Sequence, residues 1–110
     1  MKTKIAILGG SGYLATSLAA SLSKNYKITL LTRNPKKIIN LSKNIIIKKT
    51  NYLSKKNILK NILNHHVLIH LVGLSKKESN LNPNKAILLK NNITENILYA
   101  AKICKVKKYF

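Results

Sequence analysis

The sequence predicts an α/β protein with a doubly wound parallel sheet, and three observations support this prediction. Short β-branched runs alternate with segments of helical periodicity along the whole chain. A glycine cluster stands between the first strand and the first helix. The 110 residues, 45% of them hydrophobic, suffice for one domain with a single core. We therefore expect one domain over residues 1–110 with strand order 3-2-1-4-5, cut short after the fifth strand.

The first half of the chain contains three predicted strands, at residues 4–8, 27–32 and 45–47. A helix is expected after the glycines, up to about residue 24. Asn34 and Pro35 form a helix-start signal, with Asn34 as the cap, and predict a short second helix. Ser54 is the predicted cap of the next helix, in which apolar residues recur at helical spacing.

The second half begins with His65 and His66, which we expect to be exposed before a strand. Residues 66–73 predict a buried fourth strand, in which His70 lines a cleft or packs in the sheet. An Asn-Pro pair at residues 82–83 precedes a long amphipathic helix that extends to about residue 105. Residues 106–110 then begin a fifth strand.

The glycine-rich turn is the most informative segment. Glycines allow the backbone to turn tightly and approach a phosphate, and the next helix directs unsatisfied N–H groups and the positive end of its dipole at the anion. The spacings Gly10-x-Gly12-x-x-Ala15 and Gly9-x-x-Gly12-x-x-Ala15 both fit a dinucleotide phosphate site. The residues expected around the pyrophosphate are Gly9, Gly10, Ser11, Gly12, Tyr13 and Leu14. An ordinary glycine turn is the alternative that the pattern alone leaves open.

The charge is strongly unbalanced, with 21 basic and 2 acidic residues and a formal net charge of +19. Such a field attracts polyanions without sequence specificity. The charge is almost entirely lysine, spread along the chain together with Asn and Ile, and these three residue types share A/T-rich codons. We favour genome composition over selected polyanion binding as its origin, so nucleic acid is not the expected partner.

Other classes of site have little support. Cys104 is the single cysteine and indicates a reducing compartment, for which we expect a cytoplasmic location. No apolar run reaches the about 18 residues of a spanning helix, so no membrane partner is expected. The three histidines have no acidic or cysteine ligand near them in the sequence, so no metal site is predicted. The oligomeric state is left open.

Three separated motifs carry a resemblance to a known family. They are the glycine motif at residues 9–15, the strand Val-Leu-Ile-His-Leu-Val-Gly at residues 67–73, and the helix with Asn-Ile-Leu-Tyr-Ala-Ala within residues 92–102. In this order and spacing they resemble the extended short-chain dehydrogenase/reductase family, especially its NAD-dependent epimerase/dehydratase branch. The resemblance covers essentially the whole chain and implies a Rossmann-like fold that binds NAD(P). It also implies a cleft toward the nicotinamide ribose lined by Leu71, Val72 and Gly73.

Some of the residues that would contact the adenosine part of NAD(P) can also be named. The resemblance places Asn51 and Tyr52 where the family has an Asp and an apolar residue, of which the Asp touches adenine, and a neutral amide makes a weaker contact than a carboxylate. About 20 residues beyond the glycine turn, an acidic residue binds the ribose of NAD, whereas an Arg accommodates the 2′-phosphate of NADP. Arg33 stands there, so NADP is preferred over NAD. A solvated arginine at a strand end is the alternative.

The resemblance implies the NAD(P)-binding segment of a nucleotide-sugar epimerase/dehydratase-type oxidoreductase. The family's catalytic Ser/Thr and Tyr-x-x-x-Lys would lie beyond the fifth strand, so no catalytic residue is assigned here and enzymatic activity is left open. Tyr52 and Lys56 have the Tyr-x-x-x-Lys spacing but follow the third strand, outside the catalytic helix. No substrate domain is expected, and a nucleotide sugar would bind only if further sequence completes the fold. The alternatives are a noncatalytic NADP-sensing or partner-binding module and, less favoured, a basic nucleic-acid-binding protein.

Overall fold

The computed structural model describes residues 3–9, 12–38, 43–72 and 82–110. Five parallel strands form one sheet in the order 3-2-1-4-5, which confirms the predicted topology. The strands are β1 (Lys4–Leu8), β2 (Lys27–Thr32), β3 (Ile46–Lys49), β4 (Val67–His70) and β5 (Lys108–Tyr109). The helices within the described ranges are α1 (Tyr13–Leu22), α2 (Lys55–Ile62) and α3 (Pro83–Ile103).

Both faces of the sheet are covered, because successive residues of a strand point to opposite sides. In β1, Ile5 and Ile7 pack with the buried alanines of α1. Ala6 and Leu8 point the other way and join the core beneath α2 and α3. Helices on both faces of a parallel sheet define the doubly wound α/β class, as predicted.

The predicted helix cap at Ser54 is confirmed, and the structure shows a second cap at Asn82. The Ser54 side chain accepts a hydrogen bond from the Asn57 N–H at 3.2 Å, and the Asn82 side chain accepts one from the Lys85 N–H at 3.1 Å. Each bond satisfies one of the N–H groups that a helix start leaves without an intrahelical partner. These caps set the starts of α2 and α3 at Lys55 and Pro83.

The predicted helix after Asn34 was wrong in its extent. A single 3-10 turn spans Pro35–Lys37, and Ile38 already has extended backbone, with φ −93° and ψ 119°. The Asn34 side chain makes no capping bond, and the Asn34 backbone N–H donates to the Thr32 hydroxyl at 3.1 Å. Pro35 therefore starts a single turn, and no side-chain cap stabilises a longer helix after it.

Three predicted site residues, Gly10, Ser11 and Gly73, lie outside the described residues. Within the described ranges, no helix is both long enough and apolar enough to cross a membrane.

Candidate functional site

A small cavity lies at the carboxyl edge of the sheet, where all parallel strands end. It has a volume of about 180 Å³. Its walls come from the ends of β1, β2 and β4 and from the loop after β3; the residues are Gly9, Gly12, Thr32, Arg33, Tyr52, Leu71 and Val72. The strands that follow β1 in the chain first extend the sheet on one side, as β2 and β3, and then on the other side, as β4 and β5. The strand order therefore reverses at β1. Open α/β sheets bind their ligands in the crevice at such a switch point.

Gly9 is required by the packing of the turn. Its φ is +97°, a conformation that side chains rarely adopt. A Cβ at this position would lie 2.8 Å from both the carbonyl carbon and the carbonyl oxygen of Leu71. Gly9 therefore packs directly against the backbone that follows β4, and a residue with a side chain does not fit there.

Gly12 differs from Gly9, because the protein itself leaves room for a side chain there. The nearest atom to a Cβ at Gly12 would be the Gly9 carbonyl oxygen at 3.7 Å, an ordinary van der Waals distance. Gly12 is the N-cap of α1 and supplies no side-chain capping bond, and the first turn of α1 contains no acidic residue. Because Gly12 lines the cavity, α1 begins next to it, with the unsatisfied N–H groups and the positive end of the dipole that a helix start carries.

The hydroxyl of Tyr52 closes the inner wall. It accepts a hydrogen bond from the Gly9 N–H at 2.8 Å and donates one to the Leu31 carbonyl. Burial raises the pKa of Tyr52 to about 12, although the Gly9 bond and the nearby Arg33 charge oppose the increase. A hydroxyl with this pKa keeps its proton at neutral pH, so Tyr52 is poorly suited to the proton transfer that its spacing to Lys56 would suggest.

A second cavity of about 430 Å³ shares Arg33 with the first. Its other walls are Lys49, Thr50, Asn51 and Asn57, so it combines two cations with neutral polar groups. The Asn51 side-chain oxygen accepts the Leu53 N–H at 3.0 Å, and the Asn51 N–H donates to Asn57 at 2.7 Å. These bonds hold the loop after β3 and leave the Asn51 amide NH₂ group as a donor.

The structure brings together many of the residues predicted from sequence, but not all. Gly9, Gly12, Arg33, Tyr52, Leu71 and Val72 line one cavity and Asn51 the adjoining one. The side chains of Tyr13 and Leu14 are 89% and 64% exposed and line neither cavity. Sequence reasoning missed four lining residues: Thr32, Lys49, Thr50 and Asn57. For Lys49 a signal existed, because it ends the strand that pairs with the strand before Arg33.

The histidines have structural partners. The prediction that His65 is exposed was wrong: it is half-buried, its Nε2 atom lies 2.9 Å from the Thr29 hydroxyl, and burial lowers its pKa. His66 is exposed as predicted and accepts the Lys4 N–H at 3.0 Å. His70 is half-buried and its Nδ1 atom bonds to the Tyr109 hydroxyl, which ties β4 to β5. Among the described residues, no three His, Cys, Asp or Glu side chains converge as metal ligands would.

A larger cavity of about 820 Å³ lies at the opposite, amino edge of the sheet. Six of its nine lining residues are basic: Lys4, Lys27, His65, His66, Lys105 and Lys107. The whole chain has 21 Lys and Arg and 3 His among 110 residues, so basic groups are concentrated at this edge.

With this geometry in place, comparison with known proteins identifies the class. A profile of the NAD dependent epimerase/dehydratase family matches residues 5–110. The chain belongs to this family, whose members bind a dinucleotide cofactor of the NAD(P) type. No curated protein sequence matches the chain significantly.

Solved structures share the fold. The protein Pen from Bacillus thuringiensis superposes with a TM-score of 0.87 at 22% identity, over 98% of this chain and 36% of its own. UDP-N-acetylglucosamine 4-epimerase from Methanobrevibacter ruminantium, solved with UDP-N-acetylmuramic acid, gives 0.80 at 21% identity, over 99% and 37%. A Rossmann-fold NAD(P)-binding family protein from Shigella flexneri gives 0.78 at 19% identity, over 99% and 50%. The chain therefore spans half or less of the length of these proteins.

Proposed function

We propose that this chain binds a nicotinamide dinucleotide at the carboxyl edge of its sheet, with NADP preferred over NAD. The observation that carries the proposal is the convergence of Gly9, Gly12 and Arg33 on one cavity at the switch point of the sheet. The space beside Gly12, which a Cβ would enter, suits the close approach of a diphosphate. No carboxylate is among the described residues that line either cavity, so the field there favours an anion.

In this proposal the diphosphate lies against the start of α1, and Leu71 and Val72 border the nicotinamide ribose. Gly10, Ser11 and Gly73, together with the backbone of Tyr13 and Leu14, are proposed to complete the same wall. Asn51 and the loop that holds Tyr52 border the adenosine. A bound nicotinamide supplies hydride transfer, and the groups described here bind and orient it.

The preference for NADP rests on the second cavity. Arg33 and Lys49 are two cations on neighbouring strand ends, and a guanidinium can form two charge-assisted hydrogen bonds to a phosphate. An NAD site commonly uses an acidic residue for the ribose hydroxyls, and the described walls of this cavity carry none. The 2′-phosphate of NADP supplies the negative charge that this pair of cations would neutralise.

Titration calorimetry with NADP and NAD tests both parts of the proposal. In Arg33→Ala, the affinity for NADP should fall by about tenfold or more and that for NAD by less than about twofold. Lys36→Ala is the matched control, because this exposed neighbour lines neither cavity and its removal should leave both affinities unchanged. Equal affinities in the wild type would overturn the NADP preference, and binding of neither dinucleotide would overturn the function.

We propose further that the chain is the cofactor-binding segment of a nucleotide-sugar epimerase/dehydratase-type oxidoreductase, and that residues beyond β5 in such a fold supply the catalytic groups. A noncatalytic NADP-sensing or partner-binding module is the second candidate, favoured by β5, an exposed two-residue strand at the edge of the sheet. An assay of UDP-sugar turnover by a protein that also carries the residues following β5 separates the two, because only the first candidate requires conversion of substrate.

A further inference from the structure

Tyr52 connects segments that lie far apart in the sequence. Its side chain is buried, and its hydroxyl lies between the end of β1 and the end of β2. The hydroxyl accepts the Gly9 N–H at 2.8 Å and donates to the Leu31 carbonyl. The Gly9 N–H also donates to the Leu31 carbonyl at 3.0 Å. The Gly9 N–H, the Tyr52 hydroxyl and the Leu31 carbonyl are therefore all hydrogen-bonded to one another at the start of the glycine turn.

The loop that carries Tyr52 is itself held in place. The Tyr52 carbonyl accepts a hydrogen bond from the Asn96 side chain of α3 at 3.0 Å. The preceding residue, Asn51, donates its N–H to Asn57 of α2 at 2.7 Å. The Tyr52 ring packs in the core beneath these two helices. The position of the hydroxyl is thus set by both helices, and the hydroxyl in turn contacts the glycine turn.

Only a side chain that both donates and accepts can make this bridge. A phenylalanine would fill the same space in the core but would lose both bonds. Neither backbone partner would then be left unpaired, because the bond from the Gly9 N–H to the Leu31 carbonyl remains. Loss of the hydroxyl should therefore loosen the turn more than it weakens the core.

The bridge also decides which N–H groups face a ligand. The Gly9 N–H points inward to Leu31 and Tyr52, so it is not available to an anion. The groups that remain are those nearer the start of α1, behind Gly12. Holding Gly9 in one position fixes where that helix start lies relative to Arg33, and a site ordered before binding loses less entropy when the ligand binds.

We propose that Tyr52 is a positioning residue for dinucleotide binding: its hydroxyl bridges Gly9 and Leu31 and holds the glycine turn in the conformation that receives the diphosphate. This role rests on the function proposed above. We expect Tyr52 to affect the binding of the diphosphate more than that of the adenosine. The Gly9 N–H that it contacts belongs to the glycine turn, whereas the position of Arg33 is set by β2.

The test compares Tyr52→Phe with the wild type for two ligands, NADP and adenosine 2′-monophosphate. Both carry the 2′-phosphate, but only NADP has a diphosphate. We expect Tyr52→Phe to lose about fivefold in affinity for NADP and less than about twofold for the monophosphate. Partial unfolding would lower both affinities by the same factor, so the ratio of the two isolates the positioning role.

Tyr99→Phe is the matched control. Tyr99 is 45% exposed on α3, and its ring faces the Lys55 ammonium at 4.7 Å, a contact that phenylalanine preserves. Both affinities should equal those of the wild type in this variant. An equal loss for the two ligands in Tyr52→Phe, or no loss for either, overturns the proposal.

Amide hydrogen exchange in the ligand-free protein gives a second readout. The Gly9 amide should exchange about fivefold faster in Tyr52→Phe than in Tyr99→Phe, because one of its two acceptors is gone. An unchanged Gly9 exchange rate overturns the role of the hydroxyl even if binding changes. A wild-type chain that binds neither ligand overturns the proposed function, whereas binding that is insensitive to Tyr52→Phe overturns only this inference.

Discussion

The cavities at the two edges of the sheet are lined by different kinds of residue. At the carboxyl edge, a cavity of about 180 Å³ is shaped by two glycines, a buried tyrosine hydroxyl and the backbone that follows β4. At the amino edge, a cavity of about 820 Å³ is lined mostly by lysine and histidine side chains. The cavity at the carboxyl edge depends on steric fit, because one added methyl group at Gly9 would collide with backbone atoms. The cavity at the amino edge is characterised by its basic side chains, and many arrangements of such side chains would give a similar charge.

Helix direction explains part of this contrast. The helices α2 and α3 end at the amino edge, where their last carbonyl groups carry partial negative charge. Lysines near helix ends interact favourably with that charge, so the basic amino edge has a structural explanation. At the carboxyl edge, α1 begins with unsatisfied N–H groups and an uncharged turn. The chain therefore has a small cavity next to a helix start at one edge and a concentration of basic side chains at the other.

The largest expected effect is that of Gly9→Ala on folding. The added Cβ would lie 2.8 Å from the Leu71 backbone, at a φ of +97° that alanine rarely adopts. We expect the free energy of unfolding to fall by about 3 kcal/mol, from backbone strain and overpacking together. Urea denaturation measures this change. A variant as stable as the wild type would show that shape at this edge is less restrictive than the structure indicates.

Gly12→Ala should separate binding from folding. Alanine is a poorer N-cap than glycine but lowers the entropy of the unfolded chain, so stability should stay within about 1 kcal/mol of the wild type. The new methyl group would enter the space proposed for the diphosphate, and the affinity for NADP should fall by about tenfold or more. Calorimetry and urea denaturation on the same sample decide this. Unchanged affinity would mean that no ligand approaches Gly12 closely.

His65, at the amino edge, should contribute to the dependence of stability on pH. Burial lowers the pKa of His65 below its ordinary value of 6.5, so in acid the unfolded chain takes up a proton before the folded chain does. The stability that neutral His65 contributes is complete above pH 6.5 and is lost as the pH falls below it. Only two side-chain carboxyl groups exist to add their own acid dependence.

The comparison uses His65→Gln and, as control, the exposed His66→Gln. The free energy of unfolding of the wild type and of the control should fall between pH 7 and pH 5, and His65→Gln should show a shallower slope. Equal slopes in all three proteins would contradict the assignment. His70, whose pKa burial also lowers, accounts for the slope that remains.

The smallest expected effect is that of amino-edge charge on dinucleotide binding. β1 has five residues, so the two edges are about 16 Å apart, twice the Debye length of about 8 Å at physiological salt. Lys27→Gln combined with Lys107→Gln should therefore change the affinity for NADP by less than about twofold. A larger loss at physiological salt would mean that the two edges act as one electrostatic site.

Local signals predicted the elements well. The bounds of β1 and β2 agree with the prediction at every residue, Ser54 caps α2 as expected, and α3 begins at the Asn82-Pro83 pair as expected. These features depend on hydrophobic period and on bonds that span three residues, so a short stretch of sequence contains them. The predicted cap at Asn34 was wrong, since its side chain makes no capping bond, and the Asn-Pro pair alone does not reveal whether the side chain reaches the helix N–H groups.

The sequence by itself determined the order of strands and helices, the glycine turn and the class of ligand that such a turn suits, because these depend on neighbours in the chain. Only the tertiary structure decided that Tyr52 bonds Gly9, 43 residues away, and that His65 is half-buried against Thr29, 36 residues away. It also decided that Arg33 and Lys49 line one cavity. Such contacts follow from the strand order and from side-chain packing across the core, and no short segment of sequence specifies either.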